Sequence, residues 1–185
     1  MAQLLVVCTG NICRSPVGEA LLAHHLRSSG ITLHSAGTHA MVGAPPAPEA
    51  LAHIRESLDT DFPHRGTQVT KAAAESAGLI LTMTEEQRAM VARLAPRSVR
   101  RTYTMLEFAR VISAVENREK HGSLHELVHA CAPKRRRANP PGVVNDIADP
   151  YGGTAEGYAE SFALVSRASD DIAAGITRRL RASAS

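Results

Sequence analysis

The stretch that most constrains the fold lies at residues 4–16, which read Leu-Leu-Val-Val-Cys-Thr-Gly-Asn-Ile-Cys-Arg-Ser-Pro. Its leading apolar residues include β-branched ones and predict a short buried strand. The Gly-Asn pair at residues 10–11 suits a tight loop, because these two residue types tolerate a positive φ angle best. Ser15 is a good N-cap and Pro16 a good first helical residue, so a helix should begin there. Such a strand, loop and helix N-terminus direct several backbone N–H groups at one point, which favours an anion.

Cys8 and Arg14 give this predicted anion site its chemistry. The amides and the helix dipole stabilise the thiolate form of Cys8 near neutral pH. The planar guanidinium of Arg14 can bind two phosphoryl oxygens at once. A nucleophile, an anion cradle and a bidentate clamp in one short loop predict attack on a phosphate-like group. The loop is not of the nucleotide-binding type, because no Gly-Lys-Ser/Thr follows its glycine.

Residues 8–16 resemble the active-site signature of the low-molecular-weight protein tyrosine phosphatases, in their bacterial form. The complete match is much more specific than a bare Cys-x5-Arg pattern. The resemblance implies a single α/β domain over residues 1–185, with a four-stranded parallel sheet in the flavodoxin-like order 2-1-3-4. It also implies hydrolysis of phosphotyrosine through a phosphocysteine intermediate, with no cofactor and no metal.

A second chemical element lies at residues 146–153, which read Asp-Ile-Ala-Asp-Pro-Tyr-Gly-Gly. Cleavage of a phosphate ester requires protonation of the leaving oxygen, which a carboxylic acid on a loop above the nucleophile can supply. Asp149, followed by Pro150 and Tyr151, resembles the general-acid motif of the family, whose aspartate first donates a proton and then activates water. Asp146 is the competing carboxylate but lacks the following Pro-Tyr. We therefore predict that Asp149 is the acid.

The resemblance also implies residues that support and line the site. Asn11 would hold the loop in a left-handed turn, with its side chain bonded to Ser35 and His64, and Ser15 would direct its hydroxyl at the Cys8 sulfur. The chain has no tryptophan, and Met41 or His39 occupies the region where eukaryotic members carry an aromatic ring. The predicted substrate-binding residues are Thr9, Gly10, Asn11, Ile12, Cys13, Ser15, Met41 and Tyr151.

Hydrophobic periodicity and turn residues predict the other elements. We predict helices over about residues 17–29, 49–58, 71–77, 85–94, 106–113 and 155–180, and strands over 31–35, 79–83 and 99–104. Strands that alternate with helices indicate a parallel sheet with helices on both faces. Ligands of such a sheet bind at the carboxyl ends of its strands, where the Cys8 loop begins.

Residues 114–143 form a basic insertion outside the resemblance. His121, His125 and His129 would share one face of a helix, but this spacing is common and no further ligand completes a set, so we expect no metal. Residues 134–137 read Lys-Arg-Arg-Arg and predict a solvated loop. Attraction of acidic phosphopeptides or, less favoured, of nucleic acid stays open.

Composition bears on compartment and partners. Three cysteines, two of them in the catalytic loop, do not make a disulfide framework and suit a reducing cytoplasm. No apolar run is long enough to span a membrane, and the first residues lack the pattern of a signal peptide. We expect a cytoplasmic enzyme whose partners are phosphotyrosine proteins, including a tyrosine kinase, with inorganic phosphate as product inhibitor. We expect no membrane partner, and nucleic acid is a disfavoured one.

Three other functions compete with this prediction. Arsenate reductases on the same scaffold need two further cysteines after the third strand, where residues 82–86 contain none. Protein-arginine phosphatases share the Asp-Pro-aromatic-Gly-Gly motif but carry Thr where Ile12 stands. A non-catalytic phosphate-binding module is disfavoured, because nucleophile, clamp and acid are all present.

Overall fold

Four parallel strands form the centre of the computed structural model, which describes residues 2–116 and 120–180. In chain order the strands are β1 (Ala2–Cys8), β2 (Ile31–Gly37), β3 (Leu79–Thr82) and β4 (Thr102–Thr104). They lie side by side in the order β2-β1-β3-β4, and each pair of neighbours is parallel. This order confirms the predicted flavodoxin-like sheet.

Helices cover both faces of this sheet. In chain order they are α1 (Arg14–His25), α2 (Pro48–Leu58), α3 (Lys71–Ser76), α4 (Glu85–Leu94), α5 (Met105–Ser113), α6 (Leu124–Cys131), α7 (Arg135–Ala138) and α8 (Ala155–Arg179). Leu4 and Val6 of β1 belong to the larger core, which they share with α1, α5 and α8. Leu5 and Val7 belong to a second core with α3 and α4. The apolar run that opens the chain is therefore the central strand, buried on both faces as parallel sheets require.

The predicted ends of two elements are wrong. The helix predicted over residues 17–29 runs from Arg14 to His25, and Pro16 lies in its first turn, where an N–H needs no intrahelical partner. The strand predicted over residues 99–104 is only the three-residue β4, because Pro96–Arg101 forms a 3-10 helix. The other predicted helices and strands lie within two residues of the observed ones.

The prediction of a solvated basic loop at residues 134–137 is also wrong. Residues 132–134 form a 3-10 turn that leads into α7. Arg136 and Arg137 are exposed, but Arg135 is only 25% exposed, because its Nε and Nη2 donate to the two carboxylate oxygens of Glu107 at 2.6 and 2.8 Å. Its guanidinium also lies 4.4 Å above the ring of Tyr103. Residues 117–119 of the insertion lie outside the described part of the chain.

The three histidines of the insertion do not share one helix face. His121 precedes α6, whereas His125 and His129 lie on exposed positions of that helix. Within residues 2–116 and 120–180, no group of three His, Cys, Asp or Glu side chains is arranged to hold a metal ion. No helix in that part of the chain combines the length and the apolar character needed to cross a membrane.

Candidate active site

The sulfur of Cys8 lies at the carboxyl end of the central strand, buried within a tight loop. The side chain is only 2% exposed. The backbone N–H of Asn11 donates to the sulfur at 3.2 Å, and the Ser15 hydroxyl lies 3.0 Å from it. Asn11 adopts φ 55°, a left-handed conformation that redirects the chain after it within the tight loop. Hydrogen bonds to a sulfur favour its charged form, so this loop stabilises a thiolate.

A directed set of hydrogen bonds orients the Ser15 hydroxyl. The Asn11 side-chain NH₂ donates to Ser15 Oγ at 2.8 Å and to Ser35 Oγ at 2.8 Å, while its Oδ1 accepts from the N–H of Thr67 at 2.8 Å. Because Ser15 Oγ already accepts from Asn11, its own proton is available for the Cys8 sulfur. The prediction that Ser15 caps α1 is therefore wrong. The N-cap is Cys13, which makes no side-chain capping bond.

A second layer of polar side chains holds Asn11. Ser35 donates to a carboxylate oxygen of Glu19 at 2.6 Å. The same carboxylate lies 3.6 Å from His64 Nδ1, and His64 Nε2 is 2.9 Å from the carbonyl oxygen of Asn11. The structure thus places Ser35 against the Asn11 side chain, whereas His64 contacts the Asn11 main chain. Glu19 joins the two, and nothing in the sequence singled it out.

Arg14 extends from the first turn of α1 into the cleft beside Cys8. The residue is 1% exposed, and its Nη1 donates to the carbonyl of Ile147 at 2.9 Å. Its Nη2 forms an ion pair with Asp149, whose side chain is 44% exposed. Within the described residues, Arg14 Nε is buried and has no hydrogen-bond partner. This nitrogen is therefore available to an anion.

Asp146, the competing carboxylate, has another role in the structure. Its Oδ1 accepts from the backbone N–H of Glu85 at 2.8 Å, at the first residue of α4. A carboxylate is favourable at a helix N-terminus, where the N–H groups lack intrahelical partners. Asp146 thus fastens its loop to α4, and Asp149 is the one of the two that reaches the cleft.

The cleft has a volume of about 220 Å³. Its lining residues are Thr9, Arg14, Thr38, His39, Thr84, Glu86, Gln87, Met90 and Asp149. Of the eight predicted substrate-binding residues, Thr9 is among them, and those that are not are Gly10, Asn11, Ile12, Cys13, Ser15, Met41 and Tyr151. Asn11, Ile12, Cys13 and Ser15 are buried in the Cys8 loop, whereas Met41 and Tyr151 are 45% and 60% exposed. Of the predicted pair His39 and Met41, the structure places His39 at the cleft.

The wall formed by α4 was missed by the sequence analysis. Gln87 is 4% exposed, and its NH₂ donates to Thr9 Oγ1 at 3.0 Å. Its Oε1 accepts from the N–H groups of Met83 and Thr84 at 3.0 and 3.2 Å. Because β3 lies beside β1 in the sheet, its carboxyl end and the start of α4 meet the Cys8 loop. The Thr-Glu-Glu-Gln capping box together with the strand order 2-1-3-4 was the available signal.

The other two cysteines have environments that oppose ionisation. Burial, reinforced by the nearby Cys8, raises the pKa of Cys13 from 9.0 to about 12. Burial also raises the pKa of Cys131 to about 12, against a lowering by Arg179. Both therefore stay thiols at neutral pH, and Cys8 alone of the three has hydrogen bonds that favour a thiolate.

The fold and the cleft define a class of phosphoric monoester hydrolases, and comparison with known proteins gives the family. Residues 3–122 match the family model of the low molecular weight phosphotyrosine protein phosphatases. The chain therefore belongs to this family, as its Cys8 loop predicted.

Relatives of two named specificities share this fold. The protein-tyrosine-phosphatase Etp of Escherichia coli is 43% identical over 104 residues, which cover 52% of this chain and 67% of Etp. The YwlE arginine phosphatase of Geobacillus stearothermophilus superimposes with a TM-score of 0.72 at 26% identity, over 96% of this chain and 94% of that one. The tyrosine phosphatase Wzb of Escherichia coli, solved with sulphate, gives 0.70 at 26% identity, over 94% and 97%.

Proposed function

We propose that this protein hydrolyses phosphotyrosine in proteins through a phosphocysteine intermediate. Cys8 is the nucleophile, Arg14 the phosphate clamp, and Asp149 the general acid and then the general base. One observation carries the proposal: the Cys8 sulfur accepts from a loop N–H and contacts the Ser15 hydroxyl, beside a cleft that Arg14 and Asp149 line together.

In the first step the Cys8 thiolate attacks phosphorus. An S–P bond forms as the bond from phosphorus to the tyrosyl oxygen breaks, and Asp149 transfers its proton to that oxygen. In the second step the Asp149 carboxylate takes a proton from water, whose oxygen attacks phosphorus and displaces the sulfur. Inorganic phosphate leaves, and the Ser15 hydroxyl stabilises the returning thiolate at 3.0 Å.

Arg14 changes partner during this cycle. Without an anion it pairs with Asp149 through Nη2, and its Nε has no partner among the described residues. A phosphoryl group in the cleft would accept from both Nε and Nη2, in the bidentate geometry that guanidinium favours. The exchange releases Asp149 from the ion pair and leaves it able to hold the proton for the leaving group. Free phosphate uses the same donors, so it should inhibit competitively.

Hydrolysis of phosphoarginine is the second candidate function. Two observations favour it: the resemblance in fold to an arginine phosphatase over most of the chain, and the carboxylates of Glu86 and Asp149 in the cleft, which suit a cationic group. Against it stands the resemblance in the Cys8 loop, where arginine phosphatases carry a Thr and this chain has the buried, aliphatic Ile12. We therefore propose phosphotyrosine proteins as the preferred substrates. We also propose that these substrates are cytoplasmic and include a tyrosine kinase.

The deciding experiment compares kcat/KM for phosphotyrosine and phosphoarginine peptides, in reductant and at one pH. The wild-type protein should turn over phosphotyrosine, and Cys8→Ser should be inactive while still binding vanadate. Cys13→Ser is the matched control, since that thiol lies on the same loop and should leave activity largely intact. Binding without turnover in the wild-type protein would instead support a non-catalytic phosphate-binding module.

A further inference from the structure

The basic insertion at residues 114–143 has no role in the function proposed above. Its helix α7 ends at Asn139, the C-cap residue, six positions before Asn145 begins the loop that carries the acid. We propose that α7 and Asn139, here called the brace, hold the acid loop (residues 145–149) in its working position. Arg110, Asn139 and Asn145 are then positioning residues for Asp149. This inference rests on the proposed role of Asp149 as the acid.

The brace is fixed to α5 through Glu107. This carboxylate is 4% exposed and caps α5 through its own hydrogen bond with the N–H of Thr104. Arg135 of the brace donates to both of its oxygens and to the carbonyl of Thr102 at 3.2 Å, and stacks over Tyr103. A bidentate ion pair this deeply placed has strong geometric preferences. The brace therefore has one defined position against the sheet.

Arg110 connects the brace to the acid loop. Its Nε and Nη2 donate to Asn139 Oδ1 at 3.3 and 2.8 Å, and Nη2 also donates to Asn145 Oδ1. The Asn139 NH₂ donates to Glu107 Oε1 at 3.4 Å and to the carbonyl of Arg135 at 3.2 Å. These bonds fix the orientation of the Asn139 amide, so that its oxygen faces Arg110. One guanidinium thus joins the last residue of the brace to the first of the acid loop.

The acid loop has other anchors along its length. Asn145 donates to the Glu85 carboxylate at 2.9 Å, and Asp146 accepts from the Glu85 N–H. Ile147 donates to the carbonyl of Met83 at 2.9 Å, and its carbonyl accepts from Arg14. The Ala148 carbonyl accepts from the Ser161 hydroxyl at 3.2 Å, and the half-exposed Asp149 side chain pairs with Arg14 and accepts from the Tyr151 N–H. Asn145 is the one of these anchors that the brace reaches, so loss of its bonds should displace the start of the acid loop and with it Asp149.

Loss of the brace contacts should impair proton donation and leave the phosphate cradle intact. Protonation of the leaving oxygen matters for a strongly basic leaving group, such as tyrosine or phenol, and much less for 4-nitrophenol. A displacement of roughly 1 Å can cost about 100-fold in rate. We expect Asn145→Ala to lower kcat/KM for phenyl phosphate by about tenfold, less than the cost of a full displacement of roughly 1 Å. For 4-nitrophenyl phosphate the change in kcat/KM should be less than about threefold.

The experiment measures both substrates for Asn145→Ala, Asn139→Ala and the control Arg137→Ala. Within the part of the chain that the structure describes, Asn139 has no hydrogen bond to the acid loop and is linked to it through Arg110, so a leaving-group-dependent loss in Asn139→Ala would show that the brace acts at a distance. Arg137 lies exposed on the same helix and lines a groove against α8 instead, so its variant should behave as wild type. Amide hydrogen exchange at residues 145–149 should accelerate in the two asparagine variants, and inhibition by vanadate should not change.

The outcomes distinguish failure of the brace from failure of the proposed role of Asp149. If Asp149→Asn shows the leaving-group-dependent loss and Asn145→Ala matches wild type in rate and exchange, the brace is overturned and the acid stands. If Asp149→Asn lowers kcat/KM equally for both substrates, the assignment of Asp149 as the acid is itself wrong. A loss in Asn145→Ala that is equal on both substrates, with weaker vanadate inhibition, indicates general misfolding of the cleft and also overturns the brace.

Discussion

Arg14 and Asp149 form an ion pair across the candidate active site, between a guanidinium that is almost completely buried and a carboxylate that is nearly half exposed. The proposed phosphate clamp and the proposed acid are thus partners of each other before any substrate binds. An incoming dianion would compete with Asp149 for the same guanidinium.

Arg14→Lys should nearly abolish catalysis although it keeps the charge. A lysine ammonium cannot donate to the Ile147 carbonyl and still present a planar pair of N–H groups to phosphate. We expect kcat/KM for 4-nitrophenyl phosphate to fall by about 10²–10³-fold, the cost of a lost donor to transition-state charge. The exposed Arg55→Lys is the control, with steady-state kinetics as the measurement. A loss below about threefold in Arg14→Lys would remove Arg14 from the mechanism.

Asp149→Asn should lower turnover of phosphotyrosine by about 10²–10⁴-fold, the usual contribution of general acid catalysis. The loss should shrink for 4-nitrophenyl phosphate, whose leaving group needs little protonation. Asp146→Asn is the matched control, because an amide oxygen can still accept from the Glu85 N–H. The two variants should be compared by kcat on both substrates. A larger loss in Asp146→Asn would exchange the roles assigned to the two carboxylates.

Three buried groups should make the protein less stable in alkali. The pKa values of Cys13 and Cys131 rise from 9.0 to about 12 on folding, and that of Tyr103 rises from 10.0 to about 12, in each case chiefly through burial. The folded state therefore holds these protons more tightly than the unfolded state does. The stability that they contribute is fully present below pH 9 and is lost as the pH rises from about 9 to about 12.

Urea unfolding at several pH values checks this dependence. The free energy of unfolding should fall above pH 9, and the fall should be shallower in Cys131→Val, which removes one of the three groups.

Iodoacetamide at pH 7.5, followed by peptide mass spectrometry, tests which of the three thiols reacts first. It should label Cys8 first, and phosphate should protect that site. Labelling of Cys131 before Cys8 would contradict the assignment of a reactive thiolate to Cys8.

Ile12 should set the preference between phosphotyrosine and phosphoarginine. Ile12 is 6% exposed and is not among the residues that line the cleft, but the family resemblance places its side chain near the phosphoryl group. A guanidinium beside it would leave N–H donors unsatisfied, at about 1–3 kcal/mol for each group. The wild-type protein should prefer phosphotyrosine peptides by at least about tenfold in kcat/KM, equivalent to about 1.4 kcal/mol. Ile12→Thr should narrow or reverse the ratio while leaving vanadate inhibition unchanged. A wild-type preference for phosphoarginine would instead make Glu86 and Asp149 the better guides to the substrate.

The features predicted best from the sequence are those that depend on residues adjacent in the chain. The strand, loop and start of α1 arise from one continuous stretch, and the helix over residues 85–94 was predicted to the residue. The prediction of Ser15 as the N-cap was wrong because its hydroxyl bonds to Asn11 and Cys8. A capping rule considers only neighbouring residues along the chain and cannot show these bonds. The α4 wall was missed because it reaches the cleft only through the pairing of β3 with β1.

The basic insertion shows why charge patterns alone were insufficient. A run of four cations is typical of a solvated surface, and nothing beside it in the sequence offers a partner. The partner of Arg135 is Glu107, 28 positions earlier, which the fold brings beneath it. Only the tertiary structure shows that one of the four charges is used in packing.

Three hydrogen bonds behind Cys8 form a series that ends at its sulfur. The peptide N–H of Thr67 fixes which way the Asn11 amide faces, that amide fixes the Ser15 proton, and the proton meets the sulfur. Thr67 is not among the residues that line the cleft, yet its backbone N–H is the first donor in this series of hydrogen bonds. A change in the segment around Thr67 can therefore alter the reactivity of the Cys8 sulfur without changing any residue that lines the cleft.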